Sequence, residues 1–598
     1  MALMFSSSAS KCESQREKDK TSGMGNIRPV PCSMFTGLVV LGIIFWIGSA
    51  LAGEPAEGIS GLTREEAMRQ GERIYRNGIL PSGKPVTAFV QGDTPVDGTM
   101  FSCMSCHMRG GFGSYEGHVL TTPTTGKYLY QPVFNLRQLT AAEKETIPLY
   151  FKPQFEAPPK RPAYTDETLA ELLRGGIDPA GRTLNYVMPR YDFSDRDMSI
   201  LISYLKSLSS ETPPGVTEST VRFATVVTED VSPEERNALY TTLENYARGR
   251  NNMAEASETR SKRGFSAEWM DFAYRRKLSI ARWELKGPQE TWRGQLEEYN
   301  RREPVFALLG GMTHGEWKPV HDFSEEHHIP CILPVTDFPV ISKTDWYTLY
   351  FSKGFYQEGE AAARFLERSG NLPEGKPIVQ IIRNSREGRA LSEGFRETWQ
   401  DLGHPPPVNR TLQAGESISK EFLRQVTDRD NPSVILLWVG SEAFPALESL
   451  GASTNRPGAI YVSASQLKQD LGKLPENARD FTFITYPLAI SPGKVLSAGQ
   501  AKGSSSKGRH GIDPRISSGT WSLWLVLNDA LMMLGTNFYH DNFLDKIDCI
   551  ADKAPPYTDY ERLSFGPGQR YLSKGCYIVQ MTGGANPQLI KKSDWVIH

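Results

Sequence analysis

Cysteine is scarce in this chain, with seven among 598 residues. Cys12 and Cys32 precede the single apolar run near the N-terminus, so five cysteines remain for the folded protein. That is too few for a disulfide-stapled scaffold, and each remaining cysteine needs its own explanation. Charge of one sign is lacking as well: 67 Lys and Arg stand against 69 Asp and Glu, for a formal net charge of -2. Phosphate backbones are bound by concentrated basic surfaces, so this balance gives no reason to expect a nucleic-acid partner. Long apolar runs are absent except at residues 33–53, so a polytopic membrane protein is not indicated. With 39% hydrophobic and 23% charged residues, the composition is that of a globular chain whose length implies several domains.

The one apolar run, "SMFTGLVVLGIIFWIGSALAG", follows Arg28 and closes on Ala50-Leu51-Ala52. It reads as a signal peptide with a small-residue cleavage site, so residues 1–52 are expected to be a leader and the protein periplasmic. The alternative is an uncleaved helix, since a run of this length just spans a bilayer. The protein would then be anchored to the inner membrane, and its only membrane contact would be this segment. Met24 opens a more ordinary leader than Met1 does, which suggests a later start site.

What is present is "FSCMSCHMRGG" at 101–111, with Cys103, Cys106 and His107 within five positions. Two cysteines at this spacing reach the two vinyl groups of haem as thioethers. The histidine directly after the second cysteine then sits under the iron as its ligand. A zinc site would need further ligands nearby, and only His118 is close. A thioredoxin-like site would need a long helix after the motif, where a glycine-rich loop stands instead. Upstream, "LTREEAMRQGERIYRNG" (62–78) carries a capping box at Thr63 and Glu66 and reads as an amphipathic helix ending at Gly78. Downstream, 165–208 reads as helix, turn, loop and helix. Thr165 and Ser194 are the caps, and Met188-Pro189 lies in the loop.

Together these pieces resemble a class I cytochrome c domain over about residues 60–210. The resemblance implies an all-α domain (53–210) holding one covalently attached haem c through Cys103 and Cys106. His107 and Met188 would be the axial ligands of the iron, and the first and last helices would cross at Gly71 and Tyr204. His118 is the alternative sixth ligand. Thr122-Pro123 is a candidate for the carbonyl that accepts the His107 ring N–H. Arg182, Tyr186 and Arg190 are candidates to meet the haem propionates.

"SSETPPGVTEST" (209–220) has the composition of a linker, placed at 211–220. It reads as a spacer that tethers two modules with little coupling. Beyond it, β-rich apolar runs such as "VFALLGG", "PIVQIIR" and "SVILLWVG" alternate with amphipathic segments, which implies parallel βαβ units in two doubly wound lobes. Residues 221–580, with their strand and helix order, "NSREGRALSEGFRETWQDLG" and the closing "LSFGPGQRYLSKGCYIVQM", resemble the type I periplasmic binding proteins of the branched-chain amino acid receptor group. The resemblance implies a two-lobed α/β domain, bounded at 221–598, that holds a small solute between its lobes at the carboxyl ends of the strands. By position Gly310, Gly311, Thr313, Thr336 and Asp337 of one lobe and Asn384 and Ser385 of the other face that cleft. His321, His327 and His328 occupy a charged helical stretch and read as solvated. Cys549 and Cys576 are candidates for a disulfide, and Cys331 is expected to be buried in a strand.

The expected function is that of an exported single-haem c-type cytochrome passing electrons to redox partner proteins, fused to a solute-binding module. It is a carrier rather than an enzyme, because a bound Met188 leaves no open iron position and no catalytic residues are assigned. The alternative is a periplasmic receptor for a small, amino-acid-like solute in which the haem is accessory or regulatory.

Overall fold

The computed structural model describes residues 61–598 apart from 92, 117–118, 134–159, 264–275, 371–374, 414, 491–513, 552–564, 566–569, 585–586 and 598. The apolar run at 33–53 and His118 lie outside the described residues. From Glu57 onward the chain forms one compact unit. Among the described residues no helix is long and apolar enough to cross a membrane.

Local signals start and stop the first helices. The Thr63 hydroxyl accepts the Glu66 N–H at the head of α1 (Arg64–Asn77), and Gly78 closes it in the left-handed region. α2 (Cys103–His107) is little more than one turn. α3 (Asp166–Gly175) starts from reciprocal bonds between Thr165 and Thr168. α4 (Asp195–Ser207) starts at Ser194, which accepts the Asp197 N–H, with Asp195 and Asp197 favouring the positive end of the helix. α1 and α4 cross where Gly71 meets Tyr204, the expected pair, and the Tyr75 and Tyr204 rings pack with centroids 5.6 Å apart. Ile74, Leu201 and Leu205 close a core there with Leu169 and Leu172 of α3.

This part is not all-α as expected. β1 (Thr87–Val90), β2 (Thr94–Asp97) and β3 (Arg190–Asp192) form an antiparallel sheet in the order β2-β1-β3. Strands this short hold too few residues for a period-two pattern to stand out in the sequence.

The two α/β lobes follow. β4 (Thr220–Thr228), β5 (Lys277–Leu285), β6 (Ala307–Leu309), β7 (Cys331–Ile332) and β8 (Thr348–Leu349) form a parallel sheet in the order β8-β7-β6-β4-β5. The crossovers run through α5 (Pro233–Lys262), α6 (Trp292–Arg302) and α7 (Lys318–Glu326). The second lobe begins with α8 (Phe355–Ser369), β9 (Ile378–Arg383), α9 (Arg386–Asp401) and β10 (Val408–Leu412). It continues through α10 (Lys420–Asp430), β11 (Val434–Trp438), α11 (Phe444–Gly451), β12 (Ala459–Ser463) and β13 (Thr482–Tyr486). The chain then returns to the first lobe for α12 (Pro514–Leu534) and α13 (His540–Ala551). Leu523, Leu527, Phe543 and Ile547 of these helices join Phe223 and Leu309 in one core. β14 (Gly575–Met581), β15 (Leu589–Lys591) and β16 (Val596–Ile597) complete the second sheet. Its order is β10-β9-β11-β12-β13-β14-β15, with β16 also paired to β14. β9 to β13 are parallel and the last strands antiparallel. Every residue of β11 is buried, as a central parallel strand covered on both faces requires.

Three expectations are corrected here. Residues 209–220 are not a free spacer: Ser209 donates to the Gly110 carbonyl at 2.9 Å, and Val216 bridges to Val221 at the start of the first sheet. Composition sets how flexible an isolated segment is, not what it packs on. Cys549 and Cys576 form no disulfide, because Cys549 lies on α13 of the first lobe and Cys576 is fully buried in β14 of the second. Cys331 is buried in β7 as expected. His321 is buried rather than solvated, with Nδ1 3.0 Å from the Tyr350 hydroxyl and Nε2 2.8 Å from Asp345. His327 lies 2.9 Å from Glu297 and His328 stacks on Tyr347. Among the described residues no group of three or more His, Cys, Asp or Glu is placed to hold a metal ion.

Candidate functional site

α2 gathers Cys103, Cys106 and His107 on a single turn, and neither cysteine is in a disulfide. His107 Nδ1 lies 2.8 Å from the Thr122 carbonyl oxygen. A carbonyl only accepts, so Nδ1 carries the proton and Nε2 presents its lone pair. Burial holds the imidazole below its usual pKa against this hydrogen bond, which favours the neutral ring. Burial also pushes the Cys103 thiol up to about 12, which disfavours thiolate chemistry and with it disulfide exchange. The backbone around the ring is tied down: buried Tyr75 donates to the Met108 carbonyl at 2.7 Å, Tyr191 to that of Phe101 at 2.7 Å, and Ser114 to that of Cys106 at 3.1 Å.

Met188 is half-buried and borders the same apolar cluster as Cys103 and Met104. Its carbonyl and that of Leu184 accept from Arg190, a buried guanidinium that has no carboxylate partner among the described residues. Desolvation lowers the Arg190 pKa, as it does for a buried cation. Arg182 is instead paired with Asp178 through Nη2 at 2.6 Å. Near the motif in sequence, Met100 is 71% exposed, and beside Met188 Tyr186 and Val187 are 55% and 58% exposed.

These residues fit a covalently attached haem. Two unbridged cysteines and a neutral imidazole with a free Nε2 occupy one helical turn. A buried cation without an anion stands ready for a carboxylate, and apolar side chains are left uncovered near a half-buried methionine. A structural C-x-x-C would explain none of these beyond the cysteines.

The second candidate region is the cleft. The Gly310 N–H donates to Ile332 at 2.8 Å and the Gly311 carbonyl accepts from Val335 at 2.9 Å, so both extend the carboxyl edge of the first sheet. Thr313 accepts the Gly315 N–H at 3.0 Å, and Thr336 that of Phe338 at 3.1 Å, the residue after Asp337. Asn384 donates to Gln413 and accepts from Arg389, both at 2.8 Å, and Ser385 caps α9 by accepting the Gly388 N–H at 3.2 Å. The structure thus places these side chains at the strand ends and engages most of them in turns. The residue the sequence reading missed is Arg386. From the first position of α9 it donates to the His314 carbonyl of the other lobe at 3.3 Å and lies 4.7 Å over the Phe338 ring. Its signal was present: a cation at a helix N-terminus opposes the helix dipole and needs another reason.

The chain is a two-lobed α/β protein built on largely parallel sheets, with a mainly helical N-terminal part that carries the CMSCH segment. No family model matches it, and no curated protein does. Among solved structures it is similar to a Rhodospirillum rubrum protein assigned to branched-chain amino acid ABC transport, at 13% identity, covering 62% of this chain and 100% of that one, with a TM-score of 0.43. It is also similar to a branched-chain amino acid ABC transporter protein from Thermus thermophilus with bound valine, at 10% identity, 64% and 97% coverage and a TM-score of 0.39. A third is a type 1 periplasmic binding protein from Bordetella pertussis Tohama I, at 14% identity, 62% and 100% coverage and a TM-score of 0.38. The two-lobed architecture itself stands on the strand orders given above.

Proposed function

We propose that this chain is an exported single-haem c-type cytochrome, built onto a two-lobed body of solute-binding type, that exchanges single electrons with redox partner proteins. The supporting observation is the His107 ring, whose Nδ1 proton is fixed on Thr122 at 2.8 Å one turn from two unbridged cysteines. Bound haem supplies a one-electron iron couple. Cys103 and Cys106 would hold the macrocycle, and His107 and Met188 the iron. The Thr122 carbonyl keeps the Nδ1 proton in place, which orients the ring and raises its basicity. Arg190 is the buried cation that would neutralise a propionate, and its bonds to the Met188 and Leu184 carbonyls fix the methionine loop. Cys103, Met104 and Met188 pack against the buried core of α1, α3 and α4. The periplasm is the compartment that the N-terminal run and this chemistry suit.

The deciding experiment is covalency. The full chain, produced in a host that matures c-type cytochromes, should keep its haem through acid-acetone extraction. The Cys103→Ala/Cys106→Ala variant should release it or contain none. Haem that stays attached in the variant, or a wild-type chain without haem, would defeat the proposal.

A receptor role with the haem as an accessory is a second reading, favoured by Arg386 spanning the cleft to His314. It predicts that a small carboxylate or amino acid raises the melting temperature of the purified protein.

A further inference from the structure

The loop that follows His107 is docked on the first α/β lobe through one helix. The buried carboxylate of Asp545 on α13 accepts the Gly110 N–H at 2.7 Å and the Arg109 N–H at 3.3 Å. One turn earlier, Asp541 accepts from Arg109 Nε at 3.1 Å, from Arg76 of α1 at 3.0 Å and from the Tyr347 hydroxyl at 3.1 Å. A β-carbon on Gly110 would lie 2.8 Å from the Asn542 nitrogen, so only glycine lets the loop lie this close to α13. The Phe112 ring stacks on Tyr539 at 5.4 Å, and the Arg109 guanidinium lies 4.5 Å over the Trp346 ring. The segment that supplies the Thr122 carbonyl is held to the same loop, because the Thr124 N–H donates to the Gly111 carbonyl at 2.8 Å. Both determinants of the His107 ring, its own backbone and its Nδ1 acceptor, are therefore tied to one pair of carboxylates, in addition to the Tyr75, Tyr191 and Ser114 bonds within the N-terminal part. Asp545 is buried and Asp541 half-buried, and removing either leaves its backbone or guanidinium donors without an acceptor.

We propose that Asp541 and Asp545 are positioning residues for His107, and that through them the first α/β lobe sets the reduction potential of the haem. This rests on the covalent-haem reading above. The haem-carrying part is then one rigid piece with the first lobe, and a change in that lobe at α13 is felt at the iron without any contact to it.

The test uses the full-length holoprotein and its Asp545→Ala, Asp545→Asn and Asp541→Asn variants. It measures covalent haem content, the reduction potential, and the electron paramagnetic resonance g-values of the oxidised haem, which report the orientation of the imidazole. Asp430→Asn, which breaks the Arg410–Asp430 pair of the second lobe, is the control for general destabilisation. Expected is unchanged covalent haem, since the cysteines make the attachment, together with shifted g-values and a higher potential. The ratio of reduced to oxidised haem at fixed electrode potential should rise at least tenfold, which is 59 mV for one electron. The control should match the wild type in potential and g-values. If Asp545→Ala does not fold, the isosteric Asp545→Asn and the Asp541→Asn variants give the same readouts. Variants with wild-type potential and g-values would overturn the positioning role while leaving the haem reading intact. A wild-type chain without covalent haem would overturn both.

Discussion

A β-carbon on Gly71 would fall 2.5 Å from the β-carbon of Tyr204, so α1 and α4 touch backbone to side chain at their crossing. Gly71→Ala should therefore destabilise the protein even though alanine favours a helix by about 1 kcal/mol. The added methyl also meets the Ile200 carbonyl oxygen at 2.9 Å, and neither neighbour is a flexible chain end. Overpacking of this kind costs about 1–3 kcal/mol, so the net change is a modest loss, and Gly71→Val should lose more. Thermal melts of both variants would check the order. A Gly71→Ala protein more stable than the wild type would mean that the helices separate without cost.

Met188→Ala tests the proposed sixth ligand of the haem iron. Thioether ligation raises the potential of a haem. The variant should lose the sulfur-to-iron charge-transfer band of the oxidised protein and show a markedly lower potential. An unchanged spectrum would pass the role to another residue, with His118 the next to replace.

Glu358 gives a pH dependence of stability that is independent of haem. The side chain is fully buried on α8, and its carboxylate accepts from the Thr485 hydroxyl at 2.6 Å. Burial pushes its pKa from 4.5 up to about 7. The folded chain thus keeps a proton that the unfolded chain releases between those values. Stability from this group is present at low pH and lost as pH rises through that window. At about 1.36 kcal/mol per pH unit the loss is roughly 3 kcal/mol. Glu358→Gln cannot ionise, and the hydroxyls of Ser463 and Ser465 beside it can receive its amide protons. Its urea midpoint should exceed that of the wild type at pH 8 and converge with it near pH 5. Parallel pH profiles for the two proteins would refute the assignment.

The features legible in the sequence are those that neighbours along the chain decide. Thr63, Thr165 and Ser194 mark helix starts because a cap bonds to an amide three residues on. The His107–Thr122 hydrogen bond was a candidate because a short loop carries one residue back to the other. The buried strand β11 announced itself as an unbroken apolar run. Contacts across long separations left no such mark. Asp541 and Asp545 look like ordinary polar positions on an amphipathic helix until Arg76, Arg109 and Gly110 are set against them. His321 reads as solvated until Tyr350 and Asp345 cover it. Residues 209–220 read as a spacer because composition describes the chain alone and not the surface it lies on.

The bond from Gly110 to Asp545 joins positions 435 residues apart. The chain emerges N-terminus first, and domains fold as they appear. Cys103, Cys106 and His107 are therefore made long before the helix that will clamp their loop exists. The clamp closes only once almost the whole chain is present, so a product truncated before α13 would carry the CMSCH turn without its anchorage.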